Sequence, residues 1–368
     1  MRPRFSWFGV RNARAPYVWV LAPLIVLVLV TVVALTSPWD RSRSGVAAGV
    51  EDTQEPPAET PDQTPAKTVS KKVETATPDP TEAPTHPKLK GSMRRFVAAQ
   101  TRLAARVGRQ MSQREQRNQT LSFRVASYNV LGDSHTGPGG NKPGFPDGSP
   151  RMDMAISALR NNGVDVVGFQ EFEASQYAMF SSRAGEYALY PGLTLGDKSV
   201  RFNIAWRTSM WRYVEGRSIS IPYAGGSRIE MPVVLLESTL NGRRAWFANF
   251  HNPADTPNLG NNARWRAEAA GIEVSYLTAL HLEDGLPVIA TGDYNERAEI
   301  FCRFTAGGVF SAAAGGSSGG GCAPPPSMQV DWIFGSTGVS FDSYAVTNTG
   351  NASDHSLVHS GVTLLGDG

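Results

Sequence analysis

The feature that most constrains the fold is an apolar segment that ends in polar residues, 286–296, with the sequence Leu-Pro-Val-Ile-Ala-Thr-Gly-Asp-Tyr-Asn-Glu. Its branched apolar residues favour a buried strand, and Pro287 suits the first position of one. Gly292 is expected to let the backbone turn, so that Asp293 and Asn295 emerge on one side. Taken alone, Gly-Asp-x-Asn is equally typical of an ordinary turn. The segment therefore predicts a site only if other strands end in the same way.

Other apolar segments of the chain do end in polar residues. They are 125–129, ending in Asn129; 164–171, ending in Glu171; 246–253, containing His251; 330–334, containing Asp331; and 353–356, containing Asp354 and His355. Six such motifs in this order resemble the endonuclease/exonuclease/phosphatase family, which has the deoxyribonuclease I-like fold. The resemblance covers roughly residues 121–366. It implies an α/β fold of the α+β type, a four-layered sandwich of two mostly antiparallel β-sheets flanked by helices.

The same resemblance implies a metal position made of oxygen ligands. Carboxylate and amide oxygens are the ligands that Mg²⁺ or Mn²⁺ prefers, and Glu171 is expected to bind the ion with Asn129 and Asp354 nearby. Cys302 and Cys322 are the only cysteines, and no Cys/His cluster has zinc spacing. Mg²⁺, with Mn²⁺ as the alternative, is therefore the predicted cofactor.

The resemblance also implies the catalytic residues. Asp293 and Asn295 are expected to position the attacking water and the phosphate. His355 is expected to contact the phosphate or take a proton, with Asp331 orienting its ring, because a carboxylate partner fixes a histidine tautomer. An isolated histidine is more typical of a structural surface position, but the preceding strand with Asp331 favours the catalytic interpretation.

His251 is expected to be the second acid or base, and here the sequence departs from the family. In the deoxyribonuclease-like branch a glutamate supports this histidine. The corresponding segment, 199–204, reads Ser-Val-Arg-Phe-Asn-Ile and offers no carboxylate. Either Asn203 or Asp255 substitutes for it, or the acid role is weaker.

The N-terminal part of the chain predicts a membrane anchor. Residues 15–39 carry no charge, and 17–36 are mostly apolar, long enough to cross a hydrocarbon core of about 30 Å. Four arginines precede the segment, so the positive-inside rule places the N-terminus in the cytoplasm and the rest outside. The alternative is a cleaved signal peptide followed by secretion, although the segment is long and lacks a good cleavage site.

The composition changes twice more before the globular part begins. Residues 45–92 are rich in Pro, Thr and Glu and predict an extended, disordered stalk. Residues 93–118 carry apolar residues at helical spacing among seven arginines and predict a basic amphipathic helix. We expect its apolar stripe to pack on the domain; an anionic membrane surface and nucleic acid are the alternatives. The predicted domains are thus 1–44 (cytoplasmic tail and anchor), 45–92 (stalk), 93–118 (helix) and 119–368 (catalytic domain).

Within the catalytic domain the pattern alternates between helices and strands. Helices are predicted over 150–162 and 262–282, the second with Trp265, Ala269, Ile272, Tyr276 and Ala279 on one side. Asn241-Gly242 predicts a two-residue hairpin turn between strands 231–240 and 245–250. The Gly/Ser/Ala/Pro-rich segment 311–327 predicts a loop, which Cys322 can tether to Cys302.

Charge does not select the substrate. The chain has a formal net charge of +2, but residues 121–368 have 17 basic and 23 acidic residues, a net charge of −6. A metal can connect such an acidic site to a phosphate, so a nuclease is not excluded. We expect a membrane-anchored phosphodiesterase, most directly a nuclease, with a lipid or inositol phosphoesterase and a non-catalytic binding module as alternatives. The expected partners are nucleic acid or another phosphoester and the membrane, with no obligate protein partner.

Overall fold

The computed structural model describes residues 91–196 and 201–366. The predicted anchor and nearly all of the predicted stalk lie outside these residues. In the described part of the chain, no helix is long and apolar enough to cross a bilayer. The chain divides into two units, residues 1–85 and 86–368, and the following description concerns the second.

The described residues contain five α-helices and twelve strands. In chain order they are α1 (Gly91–Arg117), β1 (Leu121–Asn129), α2 (Gly148–Asn161), β2 (Val166–Gln170), α3 (Ala174–Arg183), β3 (Tyr187–Tyr190), β4 (Asn203–Arg207), β5 (Trp211–Pro222), β6 (Arg228–Ser238), β7 (Arg244–His251), α4 (Ala263–Asp284), β8 (Val288–Asp293), α5 (Ala298–Thr305), β9 (Phe310–Ala312), β10 (Asp331–Ser336), β11 (Val339–Thr347) and β12 (Leu357–Leu364). They build two six-stranded sheets, ordered β11-β12-β1-β2-β4-β3 and β5-β6-β7-β8-β10-β9.

Each sheet is antiparallel except for one central pair. Strands β1 and β2 are parallel in the first sheet, and β7 and β8 are parallel in the second. A parallel pair needs a crossover connection, which α2 provides in the first case and α4 in the second. The carboxyl ends of the paired strands therefore lie at the same edge of each sheet.

Three apolar layers hold the sandwich together. Between the sheets, the ring of Phe123 in β1 contacts Trp211 and Phe247 of the second sheet, with centroids 5.0 and 5.8 Å apart. Helices α2 and α3 cover the outer side of the first sheet, and α4 and α5 cover the outer side of the second. Two helical layers outside two sheets confirm the predicted four-layered α+β sandwich.

Helix α4 confirms the predicted helix and most of its predicted buried side. Its end is fixed by Gly285, whose φ of 69° is the left-handed conformation that glycine adopts most easily. Ala269 is fully buried, and Ile272 and Tyr276 pack against the core, but Ala279 is exposed and Trp265 only half-buried. The stripe was wrong at these two positions because the buried side also includes the charged residues Arg266 and Glu273, which apolar periodicity does not count.

The predicted two-residue hairpin is also wrong. Strand β6 ends at Ser238 and β7 begins at Arg244, so five residues connect them. The Ser238 amide donates to the Arg243 carbonyl at 2.7 Å and closes this loop. Leu240, which was expected to extend the strand, is 68% exposed. An apolar residue at the tip of the loop made the strand appear longer than it is.

Two further predictions concern segments at the edge of the domain. The apolar stripe of α1 does not pack on the domain: Phe96, Leu103 and Met111 are 59%, 56% and 56% exposed. The prediction was wrong because none of the described strands or helices offers α1 an extensive packing surface. Cys302 in α5 and Cys322 in the Gly-rich loop form a disulfide, as the sequence suggested.

Candidate active site

The polar strand ends converge because the two parallel pairs end at one edge of the sandwich. Asn129 aligns with Gln170 across β1 and β2, so Glu171, the next residue, lies beside Asn129. In the second sheet, His251 and Asp331 both align with Asp293 from opposite sides. The sheets face each other, and this edge therefore collects side chains from both.

Asn129 connects the two sheets. Its side-chain amide donates to Glu171 Oε1 at 3.0 Å and to Asp293 Oδ2 at 3.0 Å. Its carbonyl oxygen accepts from the Leu131 amide at 3.0 Å, which fixes the orientation of the side chain. Asn129 is fully buried, so these bonds replace the water that the amide would otherwise bind. The residue is a rigid link between the two carboxylates.

Glu171 is held in an unusual backbone conformation. Its φ of 54° is left-handed, which costs a non-glycine residue about 1 kcal/mol or more. The Gly132 amide and His135 Nε2 both contact Oε2, at 3.1 and 3.2 Å. Burial raises the pKa of Glu171, but the bonds from His135 and Asn129, with the charge of His251, lower it more and hold it far below its ordinary value. The carboxylate is ionised at every physiological pH.

Asp293 lies between two histidines. His251 Nε2 is 3.5 Å and His355 Nε2 is 3.8 Å from the same Asp293 oxygen, Oδ2. The other oxygen, Oδ1, accepts from the Asn295 amide at 3.0 Å. Asp293 is almost completely buried, so its charge acts on both rings with little screening by water.

His355 and Asp331 form a hydrogen-bonded pair, with Nδ1 2.8 Å from Oδ2. Burial alone would lower the pKa of His355, but the bond to Asp331 and the nearby charge of Asp293 raise it to about 10. Burial and the charge of Asp293 raise the pKa of Asp331 above its ordinary value. At neutral pH the imidazole is therefore protonated and the Asp331 carboxylate supports it. The structure thus brings Asp331 and His355 together, and the orienting role of Asp331 stays a prediction.

His251 lacks the predicted substitute for the missing glutamate. Its Nδ1 is buried and has no hydrogen-bond partner among the described residues. The rings of Phe202 and Tyr223 lie edge to face with the imidazole, at 5.8 and 5.9 Å between centroids. Asp255, one expected substitute, pairs instead with Arg266. Aromatic packing, rather than a carboxylate, therefore surrounds the Nδ1 side of this ring.

Asn203, the other residue expected to replace the glutamate, is also hydrogen-bonded to a different group. Its Oδ1 accepts from the Gly192 amide at 2.8 Å, which holds the loop after β3 against β4. Neither predicted substitution for the glutamate is therefore observed at Nδ1 of His251. The reason is topological, because β4 directs Asn203 to its neighbouring loop and the segment after His251 directs Asp255 to α4.

The structure at the end of β8 shows that the prediction of a turn at Gly292 was wrong. Gly292 lies within the strand, and a Cβ there would be 2.8 Å from the Phe250 carbonyl, so glycine is required for close approach of β7. The turn is made instead by Asn295, whose φ is 51°. The Asn295 side chain donates to the Asn252 carbonyl at 2.8 Å. This bond holds the segment after Asp293 against the end of β7.

The loop between β1 and α2 places two cations on the predicted metal ligands. His135 contacts Glu171, and Lys142 Nζ lies 2.7 Å from Asp354 Oδ2. The bond to Glu171 raises the pKa of His135 to about 9. The predicted metal set is thus only partly assembled: Asn129 lies beside Glu171 but presents its NH2 group to it, and Asp354 is turned towards Lys142. No role was predicted for Lys142, and that of His135 was left open.

Arg151 is a buried residue that sequence reasoning missed. From the first turn of α2, its guanidinium donates to the Val130 and Leu131 carbonyls at 2.8 and 2.6 Å. A third bond, of 3.4 Å, reaches the Ala352 carbonyl just before the Ser-Asp-His motif. Arg151 therefore positions both loops that carry site residues. An arginine at a helix N-terminus, where the dipole disfavours a cation, was the available signal.

Two groups at this edge fit a divalent cation. Glu171 is an ionised carboxylate that already has a cationic side chain against one oxygen, beside the Asn129 amide. Asp293, Asp331 and His355 bring their ligand atoms within 4.8 Å of one another, and Asp331 Oδ1 lacks a partner among the described residues. A metal ligand must be deprotonated, however, and His355 holds a proton at neutral pH. The Glu171 position is the better fit.

Behind the active site lies a second buried polar group, here named the α4-facing cluster and defined as Asn252, Glu273, Tyr294 and Glu296. Each has one side-chain oxygen without a hydrogen-bond partner among the described residues. Asn252 donates to Glu273 at 3.4 Å, and Arg266 donates to Glu296 at 3.3 Å. Burial raises the pKa of Glu273 to about 8. Glu273 is therefore a neutral acid at pH 7.

Comparisons with known proteins agree with this geometry. The model of the endonuclease/exonuclease/phosphatase family matches residues 126–355, which is more than half of the chain. A search of curated protein sequences gave no match. The matched range begins in β1 and ends at His355, so it includes every predicted site residue.

Several solved structures share the fold. An endonuclease/exonuclease/phosphatase family protein from Bacteroides thetaiotaomicron has a TM-score of 0.56 and 18% identity, over 67% of this chain and 99% of its own. A mannosyl-6-phosphatase from the same organism has a TM-score of 0.53 and 19% identity, over 65% and 99%. The catalytic domain of human Nocturnin, with bound sulfate, has a TM-score of 0.51 and 18% identity, over 68% and 98%. At these identities the likeness shows the fold alone.

Proposed function

This chain belongs to the endonuclease/exonuclease/phosphatase family, and from that premise we propose that it is a divalent-metal-dependent phosphodiesterase, most directly a nuclease that hydrolyses DNA or RNA. Phosphoester hydrolysis is the chemistry of the family. The substrate, the metal and the cellular location are the proposed parts.

The observation that carries the proposal is the position of Asp293 between two imidazoles. Cleavage of a phosphodiester needs one group to accept a proton from the attacking water and another to stabilise or protonate the leaving oxygen. Asp293, hydrogen-bonded by Asn129 and oriented by the Asn295 amide, is the group that positions the water. His355 is protonated and is able to donate to the phosphate or to the leaving oxygen.

The other residues orient these groups. Asp331 keeps the proton on His355 and fixes the ring through Nδ1, leaving Nε2 directed at Asp293. His251 presents Nε2 to the other side of Asp293 and is the second proton-transfer group. Asn295 is proposed to contact the phosphate as well, although its side chain is bonded to the Asn252 carbonyl in this structure.

Glu171, with Asn129 and Asp354, is the proposed position of Mg²⁺, with Mn²⁺ as the alternative. A bound divalent cation would neutralise the phosphate charge and lower the pKa of water. For Asp354 to join this set, its bond to Lys142 must open, and His135 must release Glu171. Both of these contacts are made by side chains of the loop between β1 and α2, so this loop would compete with a bound ion.

The proposed location is the outer side of a membrane, held by a helix over residues 17–36, with secretion after cleavage as the alternative. Two features support an extracytoplasmic domain. The uncharged N-terminal segment is preceded by arginines. The Cys302–Cys322 disulfide is typical of an oxidising compartment.

A lipid or inositol phosphoesterase is the second candidate, favoured by the exposed amphipathic helix α1. We would incubate the full chain with plasmid DNA, single-stranded RNA, sphingomyelin and a phosphoinositide, with Mg²⁺ or EDTA. Asp293→Asn is the inactive control. Metal-dependent nicking lost in the variant supports the nuclease, and turnover of lipid alone supports the second candidate. Silence on all four, or activity unchanged in the variant, contradicts the proposal.

A further inference from the structure

Helix α1 presents its apolar side chains to solvent. Phe96, Leu103, Val107 and Met111 are each more than 40% exposed, along a helix of 27 residues, or about 40 Å. A helix is stabilised mainly by packing of its apolar side, and an exposed apolar stripe of this length marks an interaction surface. The domain does not cover the stripe, so a partner outside the domain is required.

The charge of α1 defines the chemistry of that partner. Residues 91–117 contain seven arginines and one glutamate, a net charge of +6. Residues 121–368 have a net charge of −6. Two copies of α1 packed side by side would bring like charges together, which disfavours a dimer through this helix. The partner is therefore anionic.

The arrangement of the two residue types distinguishes a lipid surface from nucleic acid. Three exposed arginines directly precede apolar residues, in the pairs Arg95-Phe96, Arg102-Leu103 and Arg106-Val107. Neighbouring residues are about 100° apart around a helix, so a row of arginines runs beside the apolar row. Nucleic acid would satisfy the arginines and leave the apolar row in water. A bilayer surface takes both, since the apolar row enters the interface and the arginines reach the phosphates.

We propose that α1 lies flat on the surface of a bilayer that contains anionic lipids, with Phe96, Leu103, Val107 and Met111 in the interface. This surface is separate from the active site. Strand β1 begins at Leu121, just after α1, and ends at Asn129, about 26 Å further along the strand. The helix thus fixes the domain close to the lipid surface without contributing to catalysis. The proposal rests on α1 and does not depend on the phosphodiesterase assignment.

Hydrogen exchange measured by mass spectrometry tests the proposal on the full chain. The chain is placed in nanodiscs of phosphatidylcholine alone, or of phosphatidylcholine with phosphatidylglycerol. The two disc types differ in lipid charge and not in size, so a difference in exchange at residues 91–117 reports contact of α1 with anionic lipid. We expect these amides to exchange at least about tenfold more slowly on the anionic discs, because several arginines approach the charged surface. Added salt should reduce the difference.

Two charge-matched variants separate insertion of the apolar row from simple attraction. Phe96→Asp with Leu103→Asp places two carboxylates in the row, whereas Ala98→Asp with Ala105→Asp places them on the opposite side of the helix. The first pair should abolish the slowing, and the second should retain most of it. Equal loss of the slowing in both double variants would overturn insertion of the apolar row. Equal exchange of the native chain on the two disc types would also overturn it. Slowing by duplex DNA on phosphatidylcholine discs, without slowing by phosphatidylglycerol, would assign the helix to nucleic acid and also overturn the proposal.

Discussion

The segment at the end of β8, residues 293–296, has the active site on one side and the α4-facing cluster on the other. The two sides bury polar groups in different ways. On the active-site side, Asp293 accepts hydrogen bonds from Asn129 and the Asn295 amide and lies beside two imidazoles. On the other side, Tyr294 and Glu296 have oxygens without partners among the described residues. The first side places imidazoles beside its carboxylates, whereas the second buries Glu273 as a neutral acid and pairs Glu296 with Arg266. Burial of polar residues alone therefore does not mark the catalytic side, whereas carboxylates that share oxygens with imidazoles do.

The largest expected effect is on activity, and it distinguishes the active-site side from the α4-facing cluster by substitutions at two adjacent residues. Asp293→Asn should reduce phosphodiester hydrolysis by about a thousandfold or more, because the amide cannot accept the proton of the attacking water. Tyr294→Phe, one residue further, removes only a hydroxyl that lacks a partner and should leave kcat within about threefold of the native value. Steady-state kinetics on one soluble diester measures both. Similar losses in the two variants would remove the distinction between the sides.

The next largest effect concerns the carboxylate that supports His355. Asp331→Asn replaces the carboxylate, whose hydrogen bond and charge raise the pKa of His355 to about 10, with a neutral amide. The ring should then lose its proton at lower pH, so the alkaline limb of the activity profile should move towards neutrality. We expect kcat at pH 7 to fall by about a hundredfold. A pH profile of kcat with an unchanged alkaline limb would show that His355 does not act as the proton donor.

The α4-facing cluster should affect stability rather than catalysis. The pKa of Glu273 is raised to about 8 in the folded protein, above an ordinary value of 4.5. Its neutral form therefore gives full stability below about pH 4.5, and this contribution is lost as the pH rises through about 8. Glu273→Gln should remove this loss. Between pH 5 and pH 9, the free energy of unfolding should therefore fall by roughly 2 to 5 kcal/mol more in the native protein than in the variant. Denaturant unfolding at both pH values measures the difference, and parallel falls would contradict a buried neutral acid.

The smallest expected effect is at the loop that faces the metal ligands. His135→Ala removes a cation from Glu171 Oε2 and should tighten Mg²⁺ binding by about threefold to tenfold at pH 7. Lys142→Met is the companion change at Asp354 and should act in the same direction. Calorimetric titration measures both. Weaker binding in both variants would mean that the loop supports the ion instead of competing with it.

Much of this arrangement was predictable from sequence, because the strand ends combine local apolar patterns with polar residues that need a common partner. Asn129, Glu171, His251 and Asp293 come together as the strand-end motifs predicted. The contacts that were missed depend on tertiary position. Nothing in the local sequence shows that a loop lysine reaches Asp354 or that Glu273 faces inward on α4, since both depend on how helices and loops fold back on the sheets.

The most direct test compares Mg²⁺ binding in Glu171→Gln and Glu273→Gln, which remove one carboxylate from each side. Calorimetric titration of the native chain and of both variants, at one pH and salt concentration, gives three dissociation constants. Glu171→Gln should weaken binding by at least about tenfold, because the ion loses its ionised ligand, whereas Glu273→Gln should leave the constant unchanged. Unchanged binding in Glu171→Gln would show that the ion does not bind at Glu171, and weaker binding in Glu273→Gln would place it beside the α4-facing cluster. Either result would contradict the proposed chemistry.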